Sequence, residues 1–339
     1  MEGIKEDSSD NDRIRCKVEE IREYESLGEI EDLLHKCIQE TRAIIYVNTV
    51  AKAIEYYHWF KKKGVKPILY HSRFTEPDKK LKEQVLLDAL GKHAWESGNA
   101  KGIAILTQIG EMSVNISADM MISEICPMDR LVQRAGRLCR FDKNKIGKLY
   151  VVVPKQNDTL YPAPYGKYIP RQGWEANQAL IKTIELLETK DYSASDFIQL
   201  INNIYPSFKE FSVKTKENAD LLKTKFVSNW IILPLEQSKE DDTDSQNWKS
   251  RDIIGNESVF VQYPEIDNFY FWQDFQEFKI ENSIDVAAYL IVNGIKNKRI
   301  IKKQIKVSEE TKTIYLALNA YSVNFGLQLS ENSVDDQFL

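Results

Sequence analysis

The first half of the chain alternates short apolar runs with longer segments of helical periodicity. The apolar runs are IIYV (44–47), PILYH (67–71), IAILTQ (103–108), MMISEI (120–125) and KLYVVV (148–153), and RIRCKVEEIREY (13–24) alternates as an opening strand does. Helix-length segments lie between them, such as VAKAIEYYHWFKKKG, which ends on Gly64 as a helix stop does. This alternation predicts an α/β domain over residues 12–155, with a parallel sheet and flanking helices.

The second half has a different pattern. Residues 156–235 are predicted to hold a crossing loop rich in proline and aromatic residues, followed by the helices NQALIKTIELLE and SASDFIQLINNIY. The acidic polar run at 236–247 predicts a mobile loop. The runs SVFVQYP, DVAAYLIV and TIYLALNAY predict short strands of a smaller mixed α/β accessory domain over 248–330. Residues 1–11 and 331–339 are expected to form a disordered N-terminus and a tail.

Charge is distributed unevenly along the 339 residues. Residues 41–150 hold 19 Lys and Arg against 11 Asp and Glu, a net of +8, whereas the whole chain carries −5. This segregation favours a basic face that meets a polyanion, although a lysine run alone is more often a solvated helix face. No apolar run approaches the ~20 residues of a membrane span. The four cysteines form no C-x-x-C pair, so the chain is expected to be cytoplasmic with reduced thiols.

The stretch QRAGRLCR (133–140) sets three arginines and a glycine close together. We expect PMDRLVQRAGRLCR to form a helix with Arg137 and Arg140 on one face, because residues three apart are neighbours on a helix surface. A guanidinium fork suits the spread charge of a transferring phosphoryl group. The alternative is a surface arginine cluster on an amphipathic helix.

A second polar stretch, TQIGEMSVNISAD (107–119), follows the third apolar run. Ligands of open α/β sheets bind at the carboxyl ends of the strands. We therefore expect this stretch to lie at a carboxyl end, where a ligand site can form.

Together these stretches resemble the fifth and sixth motifs of superfamily 2 helicases. More narrowly, T-Q-x-x-E-x-S followed by C-P-x-D-x-L-x-Q-R-x-G-R-x-x-R resembles the helicase-nuclease of type I CRISPR interference. IIYVNTVAKA (44–53) is similar to the fourth motif of that family, and LYHSRFTEPDKKLKE (69–83) to its H-S-R-F segment. AYSVNFGLQL (320–329) resembles the end of its C-terminal domain more weakly.

The resemblance implies a second RecA-like helicase lobe and assigns roles to the matching residues. Four residues are implied to contact phosphates of a single strand: Thr49, Ser72, Arg73 and Thr107. Three are implied to act on the nucleotide as catalytic groups: Gln133, Arg137 and Arg140. Three are implied to bind the nucleotide: Asn115, Asp119 and Gly136. Arg134 is expected to support the arginine motif from beneath.

Two departures from the family pattern affect the expected activity. Asn115 and Ser117 stand where the family usually has aspartates. A phosphate-cradling loop requires G-x-x-x-x-G-K-[ST], but the three Gly-Lys pairs here are followed by His93, Leu149 and Tyr168. The sequence also has no Asp-Glu box and no His-Asp pair. We therefore expect no metal site, no nuclease activity, and ATP and Mg²⁺ binding only when a separate Walker-loop lobe completes the site.

The resulting hypothesis is the C-terminal part of an ATP-dependent helicase, inactive in isolation. The implied partners are single-stranded DNA, a separate N-terminal helicase lobe or HD nuclease chain, and a CRISPR surveillance complex, with no membrane. Two alternatives remain open. One is a non-catalytic module that docks on the surveillance complex, and the other is a part of a different superfamily 2 translocase.

Overall fold

The computed structural model describes residues 11–112, 114–142, 144–205, 220, 256–265 and 268–329. The chain divides into two units, one of residues 1–204 with 257–339 and one of residues 205–256. Every candidate site residue lies in the first unit. The mobile loop predicted at 236–247 and the tail at 331–339 lie outside the described residues, as does nearly all of the predicted N-terminal segment 1–11.

A large sheet forms the centre of the first unit. Its strands are β1 (Ile14–Tyr24), β2 (Arg42–Tyr46), β3 (Ile68–Tyr70), β4 (Gly102–Leu106), β5 (Met120–Glu124), β6 (Gly147–Gln156), β7 (Thr159–Leu160) and β10 (Asp191–Ser193). The spatial order is β10-β1-β6-β5-β2-β4-β3, with β7 paired to β6. The six central strands run parallel, and β10 and β7 are antiparallel additions at the side of β1 and β6. The predicted parallel α/β fold is confirmed.

Helices cover both faces of this sheet. They are α1 (Glu31–Gln39), α2 (Val50–Lys62), α3 (Glu76–Leu90), α4 (Lys92–Glu96), α5 (Ile109–Met112), α6 (Met128–Ala135), α7 (Gln178–Leu186) and α8 (Ala194–Ile204), with a 3₁₀ turn at Leu27–Ile30. Side chains alternate between the faces of a strand, so Ile44 and Tyr46 join one hydrophobic core and Ala43 and Ile45 the other. Leu131, Leu180 and Phe197 pack in the first core, which makes α6, α7 and α8 part of the same layer.

The sheet therefore continues past residue 155, the limit predicted for the first domain. Strand β10 pairs with β1, and Tyr192 packs beside Cys16 in the shared core. The Pro-rich segment before it forms the hairpin β8 (Gly166–Ile169) and β9 (Gly173–Ala176). Strands β7 and β10 of the predicted connecting region thus join the large sheet, whereas β8 and β9 form a separate two-stranded sheet.

A second, five-stranded sheet lies in residues 256–317. Its strands are β11 (Asn256–Phe260), β12 (Asn268–Phe269), β13 (Ser283–Ala287), β14 (Ile300–Val307) and β15 (Glu310–Ala317), and its helices are α9 (Trp272–Asn282) and α10 (Ala288–Lys296). The strand predicted for DVAAYLIV is wrong in its second half, because α10 begins at Ala288. Leu290 and Ile291 on this helix pack against Val286 and Ile300, so an apolar run serves a helix face here.

The described chain ends in a small strand pair, β16 (Tyr321–Ser322) and β17 (Gly326–Leu327). We call residues 321–327 the C-terminal hairpin. Its Leu327 amide donates to the carbonyl of Arg73, which places this hairpin against the large sheet. Within the described residues, no helix is long and apolar enough to cross a membrane.

Candidate nucleotide and nucleic-acid interfaces

The four predicted phosphate contacts lie at one edge of the large sheet. Thr49 follows β2, Ser72 and Arg73 follow β3, and Thr107 follows β4. These three strands are adjacent and parallel, so their carboxyl ends meet at the same edge, which we call the carboxyl edge. The structure therefore brings to one edge the four residues to which the resemblance assigns phosphate contacts.

The side chain of Thr49 can both cap a helix and bind a ligand at this edge. Its side chain caps α2 by accepting a hydrogen bond from the backbone N–H of Lys52. A threonine hydroxyl can accept and donate at once, so the O–H of Thr49 can still donate to a phosphate oxygen. Thr49 and Thr107 are 5% and 4% exposed, whereas Ser72 is exposed. Ser72 is thus the most accessible hydroxyl of the set.

Residues 71–75 form a turn that we call the phosphate-contact loop. His71 is buried, stacks on Phe74 with ring centroids 4.3 Å apart, and accepts the backbone N–H of Arg73 at its Nδ1. Burial lowers the pKa of His71 well below its usual value, and the charges of Arg73 and Lys82 act in the same direction. The histidine is therefore neutral and can accept, which fixes the turn between Ser72 and Phe74.

The arginine motif departs from the predicted continuous helix. Helix α6 ends at Ala135, with Gly136 as its C-cap. Beyond it, the Arg137 carbonyl accepts from the Ala118 N–H at 3.1 Å, and the Cys139 N–H donates to the Ala118 carbonyl at 2.9 Å. These bonds to a distant segment replace the helical ones, so the prediction that Arg137 and Arg140 share a helix face is wrong. We call residues 136–140 the arginine loop.

The two arginines of this loop have opposite environments. Arg140 is exposed, and its backbone N–H donates to the hydroxyl of Ser117 at 2.9 Å. Arg137 is 6% exposed, and its Nη2 donates to the carbonyl of Glu111 at 2.5 Å. Desolvation lowers the pKa of Arg137 from its usual value. Of these two arginines, only Arg140 is exposed in this conformation.

The other residues predicted for the nucleotide site also differ in exposure. Gln133, Gly136 and Asn115 are exposed. Asp119 is partly buried, and its carboxylate pairs with Arg42 at 2.5 Å and with Lys145 at 3.6 Å. Asp119 is thus already committed to ion pairs, whereas the amide of Asn115 is accessible.

The stretch 107–119 connects the two edges of the sheet. Thr107 follows β4 at the carboxyl edge, but Asp119 precedes β5 and lies at the amino edge. The expectation that the whole stretch lies at a strand carboxyl end is therefore wrong for its second half. Since Ala118 pairs with the arginine loop, the nucleotide-site residues gather away from the phosphate contacts.

Arg134 lies between these two regions and is fully buried. Each of its five N–H donors has an acceptor: the Glu111 carboxylate (2.8 Å), the Ser123 hydroxyl (3.0 Å), the Glu124 carbonyl (3.0 Å), the Asn48 side-chain oxygen (3.1 Å) and the Tyr165 hydroxyl (3.3 Å). A guanidinium has five such donors, so none remains unsatisfied. The supporting position expected for Arg134 agrees with this geometry.

Glu111 is the residue that sequence reasoning missed. Its carboxylate binds Arg134 and Arg130, and its carbonyl accepts from Arg137. It is 3% exposed, so its charge is compensated inside the protein. Its only signal in the sequence is its place as the glutamate of T-Q-x-x-E-x-S.

Asn48 extends this network to the carboxyl edge. Its side chain accepts from Arg134 and donates to the carbonyl of Ile125 at 2.8 Å, and its backbone N–H donates to the Glu124 carboxylate at 2.6 Å. Glu124 also accepts from the Tyr24 hydroxyl, and burial raises its pKa. A hydrogen-bonded path therefore runs from Asn48, next to Thr49, through Arg134 and Glu111 to Arg137.

An open cavity of about 300 Å³ lies beside the arginine loop. Gly136 and Arg140 line it together with Lys145 and apolar residues of α6 and α8. No group of three or more His, Cys, Asp or Glu able to hold a metal ion occurs in the part of the chain that the structure describes.

Comparisons with known proteins show what the chain is similar to in sequence and in fold. Residues 39–143 match a family model described as CRISPR-associated nuclease/helicase Cas3, C-terminal. A putative CRISPR-associated nuclease/helicase Cas3 from Methanocaldococcus jannaschii is 26% identical over 308 residues, which are 87% of this chain and 38% of that protein.

Solved structures show the same fold. T. fusca Cas3 with AMPPNP superposes with a TM-score of 0.55 at 20% identity, covering 85% of this chain and 37% of that chain. A chain of a CRISPR RNA-guided surveillance complex, pre-nicking, has a TM-score of 0.53 at 20% identity, covering 81% and 38%. This chain thus spans 37–38% of the length of these proteins. The resemblance predicted from the motifs is confirmed: the chain is similar in sequence and in fold to the C-terminal part of Cas3 nuclease/helicases.

Proposed function

We propose that this chain supplies the second RecA-like lobe of an ATP-dependent superfamily 2 helicase that moves along single-stranded DNA in type I CRISPR interference. The observation that carries the proposal is the buried path from Asn48 through Arg134 and Glu111 to Arg137. It joins the carboxyl edge, with its phosphate-contact residues, to the arginine loop. A path of this kind suits a protein in which the bound nucleotide must alter the affinity for a nucleic-acid strand.

On the nucleotide side, exposed residues can contact a polyphosphate that is held mainly by another lobe. Arg140 is an exposed cation that can donate to phosphate oxygens, and Gln133 and Asn115 are exposed amides. Asn115 can accept from a ribose hydroxyl as the usual aspartate of the family would. ATP hydrolysis would supply the free energy for movement, and Mg²⁺ is assigned to the lobe that carries the Walker loop.

Arg137 has a different place in this proposal. Its guanidinium bonds to Glu111 inside the protein, so it reaches a nucleotide only if that bond is released. Such a release would also alter Glu111, the partner of Arg134. Arg137 therefore combines a predicted catalytic role with a position on the path to the carboxyl edge.

On the nucleic-acid side, three hydroxyl residues and one arginine lie at the same edge of the sheet. Ser72 is exposed and can donate to a phosphate oxygen, and the hydroxyls of Thr49 and Thr107 lie just beneath the surface. Arg73 is 7% exposed, so it adds positive charge to the phosphate-contact loop from a buried position. These groups carry no base-reading pattern, which fits a protein that must move over any sequence. The net charge of +8 over residues 41–150 supports a polyanion as the ligand.

A non-catalytic module that docks on a surveillance complex is the second candidate. It is favoured by the structural neighbour in the pre-nicking surveillance complex. Docking alone gives no use to the exposed guanidinium of Arg140. A different superfamily 2 translocase would use the same geometry in another pathway.

The test is reconstitution. The isolated chain should show no significant ATP hydrolysis, because it lacks a phosphate cradle. Addition of a separately produced chain with the Walker-loop lobe should produce hydrolysis that single-stranded DNA stimulates. Turnover near ~1 per second from the clean isolated chain would contradict the composite site. Stable docking on a surveillance complex with no hydrolysis after reconstitution would favour the docking module.

A further inference from the structure

The C-terminal hairpin packs directly on the phosphate-contact loop. The Leu327 N–H donates to the Arg73 carbonyl at 2.8 Å, and Leu327 is fully buried. A Cβ on Gly326 would lie 2.3 Å from the Arg73 carbonyl oxygen and 2.9 Å from Cε1 of His71. Gly326 also has φ +66°, a conformation that L side chains rarely adopt. Close approach to the loop and backbone conformation both require glycine here.

Tyr321 of the same hairpin holds the other end of the loop. Helix α3 begins after Thr75, whose side chain makes no capping hydrogen bond of its own. Instead, the Tyr321 hydroxyl accepts the Thr75 N–H at 3.2 Å and donates to the carboxylate of Asp78. The phenol thus ties the last residue of the loop to the first turn of α3.

Phe325 extends the contact to α2. Its ring meets Tyr57 edge-on at 5.3 Å between centroids, and it lies 5.0 Å from the ring of His58. Helix α2 is the one that Thr49 caps. The hairpin therefore contacts two of the three structural elements that carry the predicted phosphate contacts.

We propose that the C-terminal hairpin is a positioning element for the phosphate-contact loop, with Tyr321 as a positioning residue for single-strand binding. The inference rests on the proposed function, because it assumes that Ser72 and Arg73 meet phosphates. Tyr321 fixes the end of the loop at Thr75, while Leu327 fixes its centre at the Arg73 carbonyl. The loop is therefore ordered before a strand arrives, which avoids the entropic cost of ordering it on binding.

The test compares Tyr321→Phe with Tyr270→Phe in the full chain. The first variant removes only the hydroxyl that holds Thr75 and Asp78. The control removes a hydroxyl from a tyrosine of the same region that is 76% exposed. Affinity for a fluorescent oligothymidylate at low salt should fall about 3- to 10-fold for Tyr321→Phe, the scale of one or two lost hydrogen bonds. It should not change for Tyr270→Phe.

A merely structural role gives a different result. Tyr321→Phe would then lower the midpoint of thermal unfolding but leave the affinity intact well below that midpoint, because nearly all of the protein remains folded. Asp78→Asn, which keeps an acceptor oxygen but removes its charge, should weaken binding by less than Tyr321→Phe. Unchanged affinity in both variants would overturn the positioning role.

A double-mutant cycle with Arg73→Gln separates positioning from direct contact. If Tyr321 acts through the loop, Tyr321→Phe should have much less effect once Arg73 is replaced. Independent, additive losses would mean that the hairpin itself touches the strand, and would overturn the inference. If Arg73→Gln weakens binding but Tyr321→Phe does not, this inference alone is wrong. If the unaltered chain binds no single strand, the nucleic-acid half of the proposed function fails and this inference fails with it.

Discussion

The carboxyl edge and the arginine loop are built on different principles. At the carboxyl edge, Thr49, Arg73 and Thr107 each follow a buried parallel strand, so the sheet itself brings them together. The arginine loop has no strand before it, and its shape depends on two backbone bonds to Ala118. The strands alone therefore fix where the residues of the carboxyl edge lie, whereas the position of the arginine loop depends on tertiary bonds to the segment before β5.

The largest expected effect concerns the exposed arginine of the loop. Arg140→Ala in the reconstituted two-lobe complex should reduce ATP turnover by ~10³-fold or more, the scale found for arginine fingers. Steady-state hydrolysis assays would measure it, with Lys62→Ala on the exposed face of α2 as the charge-matched control. The affinity of the isolated chain for single strands should stay the same. A parallel loss of strand affinity would show that the two regions are not separate sites.

The next effect concerns the buried arginine that joins the two regions. Arg134→Met should lower the free energy of unfolding by about 3 to 4 kcal/mol, because it leaves the Glu111 carboxylate buried without its main partner. Urea denaturation would measure the change. Arg130→Ala is the control, since Arg130 binds the same carboxylate from a side chain that is 40% exposed, and should cost less than about 1 kcal/mol. Equal losses in the two variants would contradict the central place of Arg134.

A smaller effect should come from acid titration at the carboxyl edge. The folded-state pKa of His71 lies below its unfolded value, with burial as the main cause and with Arg73, Lys82 and Lys79 acting the same way. Between the two pKa values only the unfolded chain binds the proton, so stability is complete above about pH 6.5 and falls as the pH drops. The His71 contribution should decrease by about 1.4 kcal/mol per pH unit there. Denaturation of the chain and of His71→Gln from pH 7.5 to 5.5 would reveal it as a difference in slope, and identical slopes would refute it.

The smallest effect concerns salt. Binding of single strands by the isolated chain should weaken with a slope of about −1.5 to −3 in log affinity against log salt, as expected for two to four neutralised phosphates. Arg73→Gln should flatten the slope by roughly 0.7, the value for one phosphate on a single strand. Lys101→Gln removes an exposed lysine at the opposite, amino edge, just before β4, and should leave it unchanged. If both variants flattened the salt slope equally, diffuse positive charge would bind the strand, and not residues at the carboxyl edge.

The carboxyl edge was largely predictable from the sequence, because an apolar run followed by polar residues marks the end of a buried strand. Thr49, Ser72, Arg73 and Thr107 lie where that pattern predicts. The arginine loop was not predictable in the same way. Helical spacing continues through Arg140, but the bonds to Ala118 that end the helix at Ala135 connect residues far apart in sequence.

Two further residues show the same limit. Asp119 was predicted to bind nucleotide, yet its carboxylate pairs with Arg42, a residue 77 positions away. The role of Glu111 is not predictable, because a single glutamate in a polar stretch gives no sign that three arginines bind it. Periodicity predicts whether a segment forms a helix or a strand. The partner of a charged group depends on the tertiary fold, which periodicity does not predict.

The contact between Tyr321 and Thr75 links residues 246 positions apart in the chain. On the ribosome, at ~5–20 residues per second, the hairpin is made roughly 12 to 50 s after the loop that it holds. During that interval the nascent lobe can form its parallel sheet, while the phosphate-contact loop still lacks its support. A nascent chain stalled before residue 320 should therefore already be protected from protease in its sheet strands and yet remain sensitive at residues 71–75.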